Sequence, residues 1–174
     1  MTARISAVGR AQARGTIFVH STPAALCPHI EWAVGAVLGQ PLDMAWTDQP
    51  VERGARRAEA SWVGPSGSGS ALASRLGGFG RLRFEVTEEA SPGMDGQRFS
   101  YTPTLGAYSA VVGMHGDILV PEDRIRRAIA DDALGGRGLH DALNGLLGVP
   151  WDDELDVFRY ASENAPVRWL HQVV

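Results

Sequence analysis

His20, Ser21, Thr22, Cys27, His29 and Glu31 fall in one short segment and offer two imidazoles, two hydroxyls, a thiol and a carboxylate. The β-branched and aromatic run Thr16 to His20 predicts a strand ending at a turn just before it. Ile30, Val34, Val37 and Leu38 recur at helical spacing, with Pro28 suited to a first turn and Gly39 to a stop, which predicts a helix over 28–38. Cys27 then falls at or near the helix N-cap, where free amides and the dipole favour a thiolate. His29 stands two residues away, close enough in sequence to share a proton with it. That is the recipe for an activated nucleophile: a cysteine-dependent enzyme acting on acyl groups or thioesters, with Cys27 served by His29 and His20.

The same residues also have a plain structural reading. Cysteine is among the residues most often simply buried, and Ser21 or Thr22 before Pro23 is ordinary turn chemistry. As metal ligands, His20, Cys27 and His29 would need a fourth from distal His115, His140 or His171. Cys-x-His is not a zinc spacing and no second paired motif follows, so no metal is expected.

A second candidate is Gly64 to Ser70, a Gly/Ser-rich run before a helix start. Its backbone amides could hold an anion, with Ser66, Gly67 and Ser68 as the binding residues. The run matches neither a Walker loop nor a dinucleotide fingerprint, and serine-capped strand-to-helix connections look the same. The ligand-binding expectation therefore covers His20, Ser21, Cys27, His29, Ser66, Gly67 and Ser68. Among carboxylates, Asp152 and Asp153 read as first-turn acids of a helix, and Glu88 and Glu89 as the opening of a polar loop; neither pair is evidence for hydrolysis.

Composition narrows the field. All 16 basic residues are arginine, which excludes a Schiff-base lysine, a lysine-linked cofactor and a Walker lysine. No cofactor is expected. The net charge of −4 is not the footprint of a protein bound to a phosphate backbone. An outer sheet face bearing Phe18, His20, Arg57, Glu59, Arg83 and Glu85 mixes charge signs and has one aromatic, so nucleic acid is not an expected partner either. No run of about 18 apolar residues suggests a membrane span, and Met1 to Gly15 lacks the apolar stretch of a signal peptide. A single cysteine forms no internal disulfide, and a cytoplasmic location is the expectation.

These residues must be positioned by a core, and the apolar share of 44% suffices for one. Leu42, Met44 and Trp46 alternate with polar neighbours, as do Ala58, Ala60 and Trp62, and Leu82, Phe84 and Val86. With a short helix over 71–76, the order is β-α-β-β-α-β: two helices on one face of a four-stranded antiparallel sheet, the ferredoxin-like arrangement. Beyond the 90–96 loop, short antiparallel strands over 98–101, 107–112 and 117–120 form a meander. Three helices follow, beginning at Pro121, near Leu139 and at Trp151, and a last strand is expected over Val167–Val173. The fold class is α+β. A flexible arm, 1–14, precedes one compact domain, 15–174, made of the core (15–89) and a packed extension (97–174) whose C-terminal elements cover part of the outer sheet face.

Val19-His20-Ser21, Ala25-Leu26-Cys27-Pro28-His29 and Glu31-Trp32 carry a resemblance, as do Arg56-Arg57-Ala58-Glu59, Leu82 to Glu88 and Pro121 to Arg126. Trp151 to Leu155 and Val167 to His171 complete it. From Ala13 onward the chain resembles an actinobacterial family known only as a domain of unknown function. The resemblance implies no activity, cofactor or catalytic residue, and at most an association with lipid metabolism. With a well-patterned core and no assembled catalytic constellation, the reading favoured is a non-enzymatic binding or regulatory module that recognises a protein partner or a small acidic ligand. The cysteine enzyme is the alternative.

Overall fold

Side chains alternate in and out along Gln12–Pro23, and this strand, β1, lies inside the sheet with partners on both sides. The computed structural model describes residues 11–160. Gln12 to Arg14, expected in an arm, belong to β1, and the strand expected over Val167–Val173 lies outside the described residues. A single 3-10 turn, Ala24–Leu26, leads into α1 (Cys27–Leu38), which opens with Pro28 and stops at Gly39 in the left-handed region (φ 73°), where a side chain would be strained.

The remaining elements are β2 (Thr47–Asp48), β3 (Ala55–Pro65), α2 (Ser68–Gly77), β4 (Arg83–Glu88), β5 (Gly96–Thr102), β6 (Gly106–Val112) and β7 (Ile118–Leu119), then α3 (Glu122–Ala133), α4 (Leu139–Leu147) and α5 (Val149–Arg159). All strand pairs are antiparallel, in the order β2-β3-β1-β4-β5-β6-β7. The four-stranded sheet expected for the first ninety residues is thus part of a seven-stranded one. The meander is not a separate layer: β5 pairs directly with β4 because the 89–95 turn returns the chain along the same edge.

One expected strand is nearly absent. Leu42 to Thr47 has strand periodicity, and Met44 does point into the core, but only Thr47 and Asp48 pair with β3. The Glu31 carboxylate on α1 accepts hydrogen bonds from the Met44 amide (3.0 Å) and the Trp46 indole (2.9 Å). The segment is bonded to the helix instead of the sheet.

The inner face carries Ile17, Val19, Trp62, Phe84 and Val86, packed against Ile30 and Val34 of α1 and Leu72 and Leu76 of α2. Fully burying each such side chain stabilises the fold by roughly 1.5–3 kcal/mol. Close packing is tightest where β1 meets β4. A Cβ on Gly15 would stand 1.8 Å from the Thr87 carbonyl oxygen and 2.9 Å from the Trp62 ring. Backbone cannot yield there as a side-chain tip can. Gly15→Ala is therefore expected to lower the unfolding free energy by about 3 kcal/mol or more, read as a fall in the urea midpoint.

Candidate functional site

The outer face of the sheet is where charge gathers. Alternation along β4 sends Phe84 and Val86 inward and Glu85 outward, opposite Phe18 of β1 and Ser100 of β5. α5 lies across this face, as the C-terminal elements were expected to do, and closes over Glu85. Its Arg159 donates to both carboxylate oxygens, from Nε at 3.1 Å and Nη2 at 2.8 Å. Arg98 of β5 donates to Oε1 from Nε (3.1 Å) and Nη2 (2.8 Å), and the His20 ring nitrogen Nε2 sits 2.8 Å from Oε2, which Arg159 Nε also reaches. Asp152, in the first turn of α5, bridges the same two arginines, accepting from Arg159 Nη2 at 2.9 Å and from both terminal nitrogens of Arg98.

Two further contacts fix the helix along its length. Glu154 accepts from Thr102 at 2.8 Å, and the Phe158 ring lies under the Arg83 guanidinium at 4.5 Å. Buried Gln49 donates to the His20 carbonyl (2.5 Å) and the Phe158 carbonyl (3.4 Å), joining the β2–β3 turn to the end of α5. Burial alone would raise the Glu85 pKa. The His20 hydrogen bond and charge, then Arg159 and Arg98, outweigh it and hold the carboxyl well below its ordinary range. The arginines respond in kind: burial would lower them, but Asp152 and Glu85 push Arg98 up and Glu85 and Asp152 push Arg159 up.

This geometry makes an internal clamp. Every charged group in it has a partner from another element, and Glu85 is only 8% exposed. His20, expected at an open site, is instead a buried member of the clamp, and Ser21 donates to Glu52 at 2.5 Å. The anion site expected at Ser66, Gly67 and Ser68 is likewise taken. Glu88, buried, places one oxygen 2.9 Å from the Gly67 amide and the other 2.8 Å from the Gly69 amide, so the protein's own carboxylate caps α2. Ser68 donates to the Pro65 carbonyl (2.6 Å) and Ser66 to the Met94 sulfur (3.4 Å).

Cys27 begins α1 as expected, but it is buried, and desolvation pushes its thiol pKa up despite the nearby Arg56 charge. His29 is exposed, and no hydrogen bond joins it to Cys27 among the described residues. Burial here outweighs the helix dipole on which thiolate activation depends. Among the described residues no three His, Cys, Asp or Glu side chains are grouped to hold a metal ion, and no helix is long and apolar enough to cross a membrane.

Open depressions among the described residues include one of about 600 Å³ beside α1, lined by Trp32 and Leu42, and a groove of about 790 Å³ between α3, α4 and the start of α5. Leu105, Leu146 and Trp151 line it, and Arg124, Arg127 and Arg137 stand around it. None of these arginines has an acidic partner within ion-pair distance among the described residues, whereas neighbouring Arg126 is paired to Glu122. α3 buries only Ala128, leaving Ile129 52% and the following Leu134 86% exposed. From sequence, α3 is a helix beginning at Pro121 with Ile125, Ala128 and Ile129 on it, and no binding role is expected there. Arg124 and Arg127 interleaved with Ile125 and Ile129 were the available signal.

Replacing one member of a buried ion network strands its partners, so Glu85→Gln is expected to lower the unfolding free energy by about 3–5 kcal/mol in urea titrations. Because folding depresses the Glu85 pKa, its contribution is complete above the ordinary carboxylate value of about 4.3 and fades as pH falls below it. Thermal unfolding followed from neutral to acid pH should show wild-type stability declining below that point, with a shallower decline in Glu85→Gln. For Cys27, native alkylation by iodoacetamide at neutral pH should be at least about tenfold slower than in urea, as its burial and raised pKa require.

No curated protein and no solved structure gives a significant match to the chain. A family model described as a protein of unknown function, DUF3145, matches residues 16–172, which takes in most of β1, the clamp and the groove. The chain belongs to the DUF3145 family.

Proposed function

We propose that the protein is a non-enzymatic binding module that recognises an acidic, amphipathic segment of a partner protein through the α3–α4 groove. The observation that carries this reading is the meeting of Arg124, Arg127 and Arg137, unpaired among the described residues, with an apolar floor of Leu105, Leu146 and Trp151. Guanidinium groups pair with carboxylates in bidentate geometry and stack on apolar surface, so a helix bearing both acids and leucines complements the groove. Exposed apolar residues on α3 extend the same surface.

The architecture supports a scaffold role. The first four strands and two helices read as a ferredoxin-like core: the order β2-β3-β1-β4, all antiparallel, supports it, and the later strands lengthen one edge. On that reading α5 is a strap across the outer face and α3–α4 the presenting surface. The cysteine-enzyme reading has weaker support, since its three residues are a buried thiol, a clamped imidazole and an exposed one.

A titration of the full chain with a synthetic helical peptide rich in Glu and Leu, followed by Trp151-region amide shifts, tests the proposal. Binding should weaken at least about tenfold in the Arg127→Glu, Arg137→Glu double variant and as salt rises. Equal binding by wild type and variant overturns it. Binding of dodecanoate but not of the peptide points to a small acidic ligand and also overturns it. Turnover of thioester substrates that disappears in Cys27→Ser overturns the non-enzymatic part.

A further inference from the structure

A helix packed on a globular core as a rule turns charged side chains to water. α1 does not. Its outward stripe is Pro28, Trp32, Ala36 and, just past its end, Gly39, and all four are exposed. Trp32 is 68% exposed, with the Arg75 guanidinium of α2 over its ring, 5.8 Å from the centroid. Beside this indole runs the depression of about 600 Å³, walled by Gly35 and Ala36 on α1 and by Pro41, Leu42 and Asp43 on the segment after it. An apolar projection and an apolar hollow thus adjoin on one surface.

Charge is divided between them in the same way. Arg75 on the projecting side and Asp43 on the hollow side are both exposed, and neither has an ion-pair partner among the described residues. In the hollow, Glu31 spends Oε1 on the Met44 amide and the Trp46 indole, and its Oε2 has no partner among the described residues. These opposite charges stand on opposite flanks of α1. α2 packs over β4 and β5, whereas the 40–46 segment is bonded to Glu31 and leads to β2 at the other edge of the sheet. They also stand at one level along the helix, since Arg75 lies over Trp32 and Met44 is tied to the preceding residue, Glu31.

We propose that this surface pairs with its own counterpart in a second copy of the chain, about a two-fold axis running roughly along α1. Such an axis keeps the two α1 helices parallel and exchanges their flanks, so every contact is made twice. Trp32 of each copy enters the hollow of the other, and Arg75 meets Asp43 and Glu31 across the contact. A second copy is the occupant because each unpaired charge finds its opposite on this same surface, at the level that the axis requires. A seated tryptophan with an arginine beside it is the type of anchor that dominates such contacts. α1 covers the inner face of the sheet and α5 the outer, so the pairing leaves the α3–α4 groove of each copy open.

Sedimentation velocity on the full chain over a concentration series tests this. The wild type should pass from monomer to dimer as concentration rises. Trp32→Ala, Asp43→Arg and Arg75→Glu, all at exposed positions, should each raise the dimer dissociation constant at least about tenfold while keeping the wild-type thermal midpoint. Mixing Asp43→Arg with Arg75→Glu in equal amounts should recover association, because both junctions of the mixed dimer then join opposite charges. A wild type that stays monomeric throughout overturns the proposal, as does a dimer indifferent to the three substitutions or a mixture that remains monomeric. A dimer lost in the Arg127→Glu, Arg137→Glu double variant lies at the groove and overturns it too.

Discussion

A single buried carboxylate determines how the second face of this sheet is closed. Glu85 leaves water only because Arg98 and Arg159 meet it from two different elements, with His20 against one of its oxygens. Such networks stabilise little in net terms, since desolvating the ions offsets most of the attraction. Their effect is positional. A helix held only by Leu155 and Phe158 could slide along the sheet, but two guanidinium forks shared between Glu85 and Asp152 allow one register.

β4 repeats the device on its opposite face. Glu88 points inward, three residues after Glu85, and offers its two oxygens to the first amides of α2. One short strand thus anchors a helix on either side through an acid: one meets fixed positive charges, the other the positive end of a helix. Both sides of the sheet are referenced to the same six residues, which ties the placement of α5 to that of α2. The α3–α4 unit stands further out, joined to the sheet through Tyr108 and its bond to the Leu146 carbonyl, and is correspondingly open.

Periodicity made much of this legible. Ala58, Ala60 and Trp62, and Leu82, Phe84 and Val86, each announced a face, and Pro28 and Gly39 marked the ends of α1 where the chain shows them. The failures have local causes. Leu42 to Trp46 keeps strand alternation because its side chains do enter the core, yet one acid on a neighbouring helix takes its backbone bonds. Sequence pattern reports burial, not hydrogen-bond partners. The clamp was hidden for a related reason: Glu85 read as an outer-face residue that C-terminal elements could cover, but nothing local says which helix does so or that Arg98 and Arg159 meet there. Spacing did hold one clue, since Asp152, Asp156 and Arg159 share a helix face. The Gly/Ser run was read as a place where a bound anion could sit, and the amides there are taken by Glu88, a carboxylate 21 residues after Gly67 that no local pattern points to.

The interior position of β1 has a consequence for how the molecule is made. It is synthesised before either of its partners, since Gln12 pairs with Pro65 and Gly15 with Glu88. The nascent strand, with Ile17 and Val19, must therefore wait until two later strands have been synthesised. Throughout that interval it presents two bare edges and an oily side, and is the natural region for a chaperone to grip.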